Sequence, residues 1–261
     1  MRVALFIPCF VDQLKPSVGM ASLELLESLG VEVEFPRDQT CCGQAFLTSG
    51  ELAAARALGR RYLEIFDGFD FVVTPSGSCA ATMRRQLPRL VAGSKAEATA
   101  GRTRELCEFL VEQGAPQRLR GRFDYRVGLQ PSCHALRELR LGTPSESREP
   151  KTVDPARTLL SCLAGLEFVE LQRRDECCGF GGTFSIDEEA VACRMGLDRI
   201  ADHRAAGAQV MTSMDVSCLL HLDGLARRRA IPLRFLHVAE ILAEAMREQL
   251  GDRPEVADGS C

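Results

Sequence analysis

The chain has 261 residues, 46% of them hydrophobic and 26% charged, with a formal net charge of −4. That length accommodates two domains of roughly 130 residues, each with its own core, and the composition is that of an ordinary globular protein, neither disordered nor fibrous. The negative balance argues against nucleic acid as a partner, which needs clustered positive charge; Arg84-Arg85 and Arg227-Arg228-Arg229 read as solvated helix faces.

The opening MRVALFIPCF has too short an apolar run for a signal peptide, is interrupted by Pro8 and is followed by no small-residue cleavage site, so it reads as a buried strand. No window approaches the roughly 18 apolar residues of a membrane span, which leads to the expectation of a cytoplasmic protein. Twelve cysteines in such a chain are expected as free thiols, because the cytosol keeps them reduced. Metal or redox chemistry is then the leading reading.

In chain order, RVALFIPC gives a strand at residues 3–7 that leads to Cys9. Ser17 is placed to cap a helix over 18–29 that stops at Gly30. VEVEFPRDQTCCG gives a strand at 31–35, followed by Cys41-Cys42-Gly43. The next helix is expected over 51–66, with Leu52, Ala55, Leu58, Tyr62 and Ile65 on one face. FDFVVTPSGSC then gives a strand at 71–74 ahead of Cys79. The series begins again with YRVGLQPSC, which ends on Cys133, and continues through a helix at 156–166. LEFVELQRRDECCG carries Cys177-Cys178-Gly179, a helix follows over 188–203, and AQVMTSMDVSC ends on Cys218.

The order Cys, Cys-Cys-Gly, Cys therefore occurs twice, about 124 to 139 residues apart depending on the landmark, as in a tandem duplication. Alternating strands and helices predict an α/β fold of two tandem repeats, each a mostly parallel sheet flanked by helices. The repeats are expected at residues 1–120 and 121–250, with the boundary near 117–124, where apolar periodicity lapses. Residues 142–155 read as an insertion in the second repeat, and 251–261 as a flexible tail.

Every cysteine of this pattern follows a strand. Carboxyl ends share one edge of a parallel sheet, so Cys9, Cys41, Cys42 and Cys79 are expected to converge at one rim, and Cys133, Cys177, Cys178 and Cys218 at another. Four thiolates suit zinc or an iron–sulfur cluster. Gly43, Gly179, Gly181 and Gly182 would let backbone approach such a group and aim N–H groups at its sulfurs. Cys107, Cys162 and Cys193 lie in apolar helical stretches and read as packing residues, and Cys261 has no assigned role. His134 and His221 lie beside the ligand positions as candidate proton carriers or structural histidines. The glycines after Cys178 are no dinucleotide fingerprint, because Phe184 stands at the third glycine position.

Cys9, Cys41-Cys42-Gly43 and Cys79, with Cys133, Cys177-Cys178-Gly179 and Cys218, resemble the tandem cysteine-rich CCG domain. That domain occurs in the B subunit of heterodisulfide reductase, the glycolate oxidase iron–sulfur subunit and the lactate utilisation protein A family. The resemblance is nearest to the last, a stand-alone pair of CCG domains, and CCGFGGTFS makes it specific. It implies an iron–sulfur electron-transfer subunit of a complex that oxidises L-lactate to pyruvate, with companion iron–sulfur and accessory subunits. No ferredoxin-like C-x-x-C-x-x-C run is present, so a companion would supply those clusters.

One departure stands out. The fuller family motif ends each repeat in C-x-x-C, whereas this chain has Ser76-Gly77-Ser78-Cys79 and Asp215-Val216-Ser217-Cys218. Four cysteines per repeat favour one [4Fe-4S]-type centre in each over a five-cysteine double cluster. Asp215 is a candidate replacement ligand, with a solvated loop carboxylate as the alternative. Two other functions fit the same residues: a heterodisulfide-reductase-like thiol/disulfide redox enzyme, and a zinc-stabilised binding module without redox chemistry, with zinc possible in one repeat alone.

Overall fold

The computed structural model describes residues 1–149 and 152–250, with only the helical backbone of 248–250; the expected tail and Cys261 lie outside the described residues. Strands β1 (Arg2–Leu5), β2 (Glu32–Glu34), β3 (Phe71–Thr74) and β4 (Thr103–Glu105) form one sheet in the order β2-β1-β3-β4. Strands β5 (Arg126–Leu129), β6 (Glu167–Phe168), β7 (Val210–Ser213) and β8 (Arg234–His237) form the second in the matching order β6-β5-β7-β8. Every strand pair is parallel, with Val3 opposite Phe71 in one sheet and Val127 opposite Val210 in the other. Val3, Ala4, Val72 and Val73 are fully buried, as expected of central strands covered by helices on both faces.

The two repeats interlock through their helices. Helix Pro16–Ser28 of the first packs on Val238–Leu250 of the second, and Leu106–Glu112 of the first packs on Pro155–Leu160 of the second. One apolar core runs through both halves, joining Leu25 and Leu26 to Ile241 and Leu242. Burial of each such side chain contributes about 1.5–3 kcal/mol, so neither repeat's core is complete without the other. Among the described residues no helix is long and apolar enough to cross a membrane.

Local details differ from the sequence expectations for identifiable reasons. The first long helix begins at Pro16, whose fixed φ suits the first turn, and Ser17 does not cap it. The Ser17 hydroxyl instead donates to Glu240 across the repeats. Helix Leu52–Phe66 buries Ala55, Gly59, Tyr62, Leu63 and Phe66, while Leu52 is exposed, so the inward stripe is rotated from the expected one. The helix expected over 156–166 stops at Leu160, where three-residue turns close Cys162 and Leu163 and Gly165 takes a positive φ before β6.

Candidate metal centres

Each group of four cysteines is assembled from three strand ends. Cys9 opens helix Cys9–Leu14 after β1, Cys41-Cys42 lies in the loop after β2, and Cys79 belongs to helix Gly77–Ala81 after β3. Strand order reverses between β1 and β3, and the helices that follow diverge there to leave a crevice at the carboxyl edge. The sulfurs meet in it: Cys9 lies 3.7 Å from Cys41, and Cys42 lies 3.1 Å from Cys79. Cys41 is flanked by Cys42 and Cys9, which completes a row of four thiols.

The second repeat builds the same row. Cys133 opens helix Cys133–Arg137 after β5, Cys177-Cys178 follows β6, and Cys218 belongs to helix Val216–Arg228 after β7. The Cys178 and Cys218 sulfurs are 2.8 Å apart, and Cys177 has the thiols of Cys133 and Cys178 as neighbours. Cys107 is buried in the core, and the Cys162 thiol donates to the Thr158 and Pro116 carbonyls.

Four adjacent thiols cannot all ionise by themselves. Hydrogen bonds from Cys42 and Cys9, with the Gly43 N–H 3.4 Å away, hold the Cys41 thiol far below its usual range. Cys9 is pushed up by donating to Cys41 and by burial, and Cys42 by its bonds to Cys41 and Cys79. In the second row Cys177 is lowered by Cys133, Cys178 and the Gly179 N–H at 3.4 Å, while Cys133 and Cys178 are raised by their bonds to Cys177. Cys41 and Cys177 thus release their protons readily while Cys9, Cys42, Cys133 and Cys178 retain theirs, unless positive charge enters among them.

A metal centre supplies such charge, and the all-sulfur donor set suits a soft metal or iron–sulfur cluster. The spacing is closer than a loaded single-ion site. Two sulfurs bound to one tetrahedral zinc at about 2.3 Å stand roughly 3.8 Å apart, more than the 3.1 and 2.8 Å contacts here. Among the described residues no group of three or more His, Cys, Asp or Glu side chains is arranged as a single-ion site. The thiols have to part to admit a guest.

The glycines of the two Cys-Cys-Gly turns act through the backbone. Gly43 has φ +81° and Gly179 φ +88°, a left-handed turn that glycine tolerates, and each N–H lies 3.4 Å from the sulfur two residues earlier. Gly179 also permits close packing, since a Cβ there would lie 2.7 Å from the Ala192 carbonyl oxygen. In the second row the Phe180 N–H reaches Cys178 at 3.5 Å. Gly181 and Gly182 shape the turn that follows, also at positive φ, and no hydrogen bond joins either to a sulfur among the described residues.

Residues that the sequence motif did not reveal hold the cysteine loops in place. In the first repeat the Gln39 side chain accepts from the Ile7 N–H and donates to the Leu5 carbonyl, tying the Cys41 loop to β1. In the second, buried Arg199 donates to Gln130, Asp202 and the Arg173 carbonyl, and Gln130 donates to the Glu176 carbonyl beside Cys177. The available signals were a glutamine ending a buried strand and an arginine on the inward face of a helix. His134 Nε2 accepts from Gln44 Nε2 at 2.9 Å, linking the second quartet's helix to the residue after Gly43. His221 Nε2 is satisfied by the Ala192 carbonyl. Asp215 is not the solvated loop carboxylate of the alternative reading: it is 2% exposed, and its carboxylate accepts from the hydroxyls of Ser76 and Ser78 of the other repeat.

The cysteine-rich domain profile CCG matches residues 3–84 and again residues 127–223. The chain belongs to the CCG cysteine-rich domain family. Both CCG matches contain one complete quartet. The chain is 36% identical to Lactate utilization protein A of Bacillus licheniformis over 247 residues, which cover 93% of this chain and 99% of that protein. It is 37% identical to Lactate utilization protein A of Bacillus pumilus over 251 residues, with 93% and 99% covered. A hypothetical protein from Helicobacter pylori has a similar fold, with a TM-score of 0.64 at 12% identity over 96% of this chain and 50% of that one.

Proposed function

We propose that this CCG protein is an iron–sulfur electron-transfer subunit of a cytoplasmic complex that oxidises L-lactate to pyruvate, with one [4Fe-4S]-type centre in each repeat. The observation that carries this reading is the convergence of eight cysteines, distant in sequence, into two rows built alike at two sheet edges. Full-length similarity to proteins named for lactate utilisation supports the metabolic setting.

Cys9, Cys41, Cys42 and Cys79 would hold the first centre, and Cys133, Cys177, Cys178 and Cys218 the second. When bound, such centres accept and pass on single electrons. The chain's own groups bind and tune: Cys41 and Cys177 supply the readiest thiolates, and the N–H groups of Gly43, Gly179 and Phe180 direct partial positive charge at sulfur. Hydrogen bonds of that kind stabilise the more reduced, more negative state. Hydride removal from lactate needs an acceptor cofactor, for which this chain has no motif, so companion subunits perform that step.

Metal and sulfide analysis of anaerobically purified protein tests the reading. Iron with equimolar acid-labile sulfide is expected; zinc without sulfide identifies a structural module, and the absence of both after reconstitution defeats the proposal. A second reading, thiol/disulfide redox catalysis, is favoured by one observation: Cys9, Cys41, Cys133 and Cys177 are partly exposed, which gives a substrate sulfur access. A change in the cluster's electron paramagnetic resonance signal on adding a disulfide supports it, and an unchanged signal with a panel of disulfides removes it.

A further inference from the structure

The two positions that depart from the fuller C-x-x-C motif, Ser76 and Asp215, touch each other. Ser76 Oγ donates to Asp215 Oδ1 at 2.6 Å, although the residues are 139 apart and belong to opposite repeats. Asp215 Oδ1 also accepts from Ser78 Oγ at 2.9 Å, and its carboxylate accepts from the Ser78 N–H at 3.2 Å. Ser76 Oγ in turn accepts from the backbone N–H of Cys79 at 3.2 Å. A continuous line of hydrogen bonds thus runs from Asp215 in the second repeat to the backbone of the first repeat's fourth cysteine.

The surroundings leave that turn little freedom. The Gly77 N–H donates to the Met214 carbonyl at 3.3 Å. A Cβ on Gly77 would lie 2.7 Å from both Ala135 Cβ and Ser132 Oγ, so Ser76-Gly77-Ser78 is wedged between Met214-Asp215 and the start of the Cys133 helix. Asp215 is 2% and Ser76 5% exposed. A buried carboxylate with several donors fixes their geometry, and its removal leaves those donors unpaired.

We infer that Asp215 is a positioning residue for the first centre: the second repeat uses it to set Cys79, and the first quartet is competent only when the repeats are docked. The inference rests on the proposal that the quartets hold iron–sulfur centres. It assigns Asp215, three residues before Cys218 in sequence, to the opposite repeat's site. A replacement-ligand role would assign it to its own.

Two single-site proteins separate these roles. Cys178→Ser confines iron to the first quartet, and Cys42→Ser confines it to the second. Adding Asp215→Ala is expected to remove at least half the iron from the Cys178→Ser protein and to leave the Cys42→Ser protein unchanged. Asp215→Asn, which keeps an acceptor and the shape, is expected to restore most of that loss, and Ser76→Ala to reproduce it in part. Loss confined to the Cys42→Ser protein, or equal retention in both, overturns the inference.

A metal-independent measurement distinguishes failure of the inference from failure of the cluster reading. In the metal-free reduced protein with the other reactive cysteines changed to serine, alkylation of Cys79 by a maleimide is expected to speed up at least fivefold with Asp215→Ala. An unchanged rate overturns the positioning role even if iron binds. A faster rate in a protein that binds no iron upholds positioning of Cys79 and refutes the cluster reading alone.

Discussion

The rings of Phe10 and Phe180 meet edge to face, with centroids 5.5 Å apart and planes at 85°. Phe10 follows Cys9 and Phe180 lies two residues after Cys178, so the pair links the two quartets across the repeats. Such aromatic pairs contribute about 0.5–1.5 kcal/mol beyond their buried area. A double-mutant cycle of Phe10→Ala and Phe180→Ala, followed by urea unfolding, is expected to show a coupling energy in that range. Additivity within about 0.3 kcal/mol would show that the rings do not interact in solution.

The glycines of the second repeat are predicted to differ in cost. Gly179→Ala combines a positive φ with a Cβ only 2.7 Å from the Ala192 carbonyl oxygen and 2.8 Å from Met195 Cβ, against a helix that cannot easily yield. It should destabilise by about 2–4 kcal/mol, from αL strain plus overpacking. Gly182→Ala has only its φ of +67° to overcome, with Thr48 Oγ1 at an ordinary contact distance of 3.9 Å, and should cost about 1 kcal/mol. Thermal melting of the two variants orders them, and equal losses would contradict the packing shown for Gly179.

His203 gives the fold an acid sensitivity. Burial, then the neighbouring Arg199, lowers its imidazole to about 3, against an ordinary value of about 6.5. The folded state therefore holds it neutral while the unfolded chain takes up a proton, so the stabilisation is complete above about pH 6.5 and falls as pH drops towards 3. Between pH 7 and 5 the His203 contribution to that loss is about 2 kcal/mol. Urea midpoints at the two pH values should converge in His203→Gln relative to the unmodified protein, and an unchanged pH slope would rule out His203 as the source.

The cysteine convergence was legible because it needs only two facts: a strand before each cysteine and parallel strand order, both written in the β-branched runs such as FVVT at β3. The fourth strands were not. β4 reads Thr103-Arg104-Glu105, and its two buried residues are polar. Glu105 belongs there because it caps helix Leu106–Glu112 by accepting from the N–H groups of Cys107 and Glu108, while burial pushes its carboxyl well up. β8 ends on His237 in the matching place, where Nδ1 accepts from the Ala239 N–H. Periodicity reports which face of an element turns inward, not which partner it finds there, so the Ser76–Asp215 bond and the Arg199–Gln130 brace were beyond its reach.

The most direct test is iron per chain in the unmodified protein, Cys42→Ser, Cys178→Ser and the double variant, each purified anaerobically and read with electron paramagnetic resonance. Two separately built centres predict that each single variant keeps about half the iron and loses its own signal, and that the double variant keeps none. Full loss from either single variant, or full retention in the double, would contradict one centre per repeat.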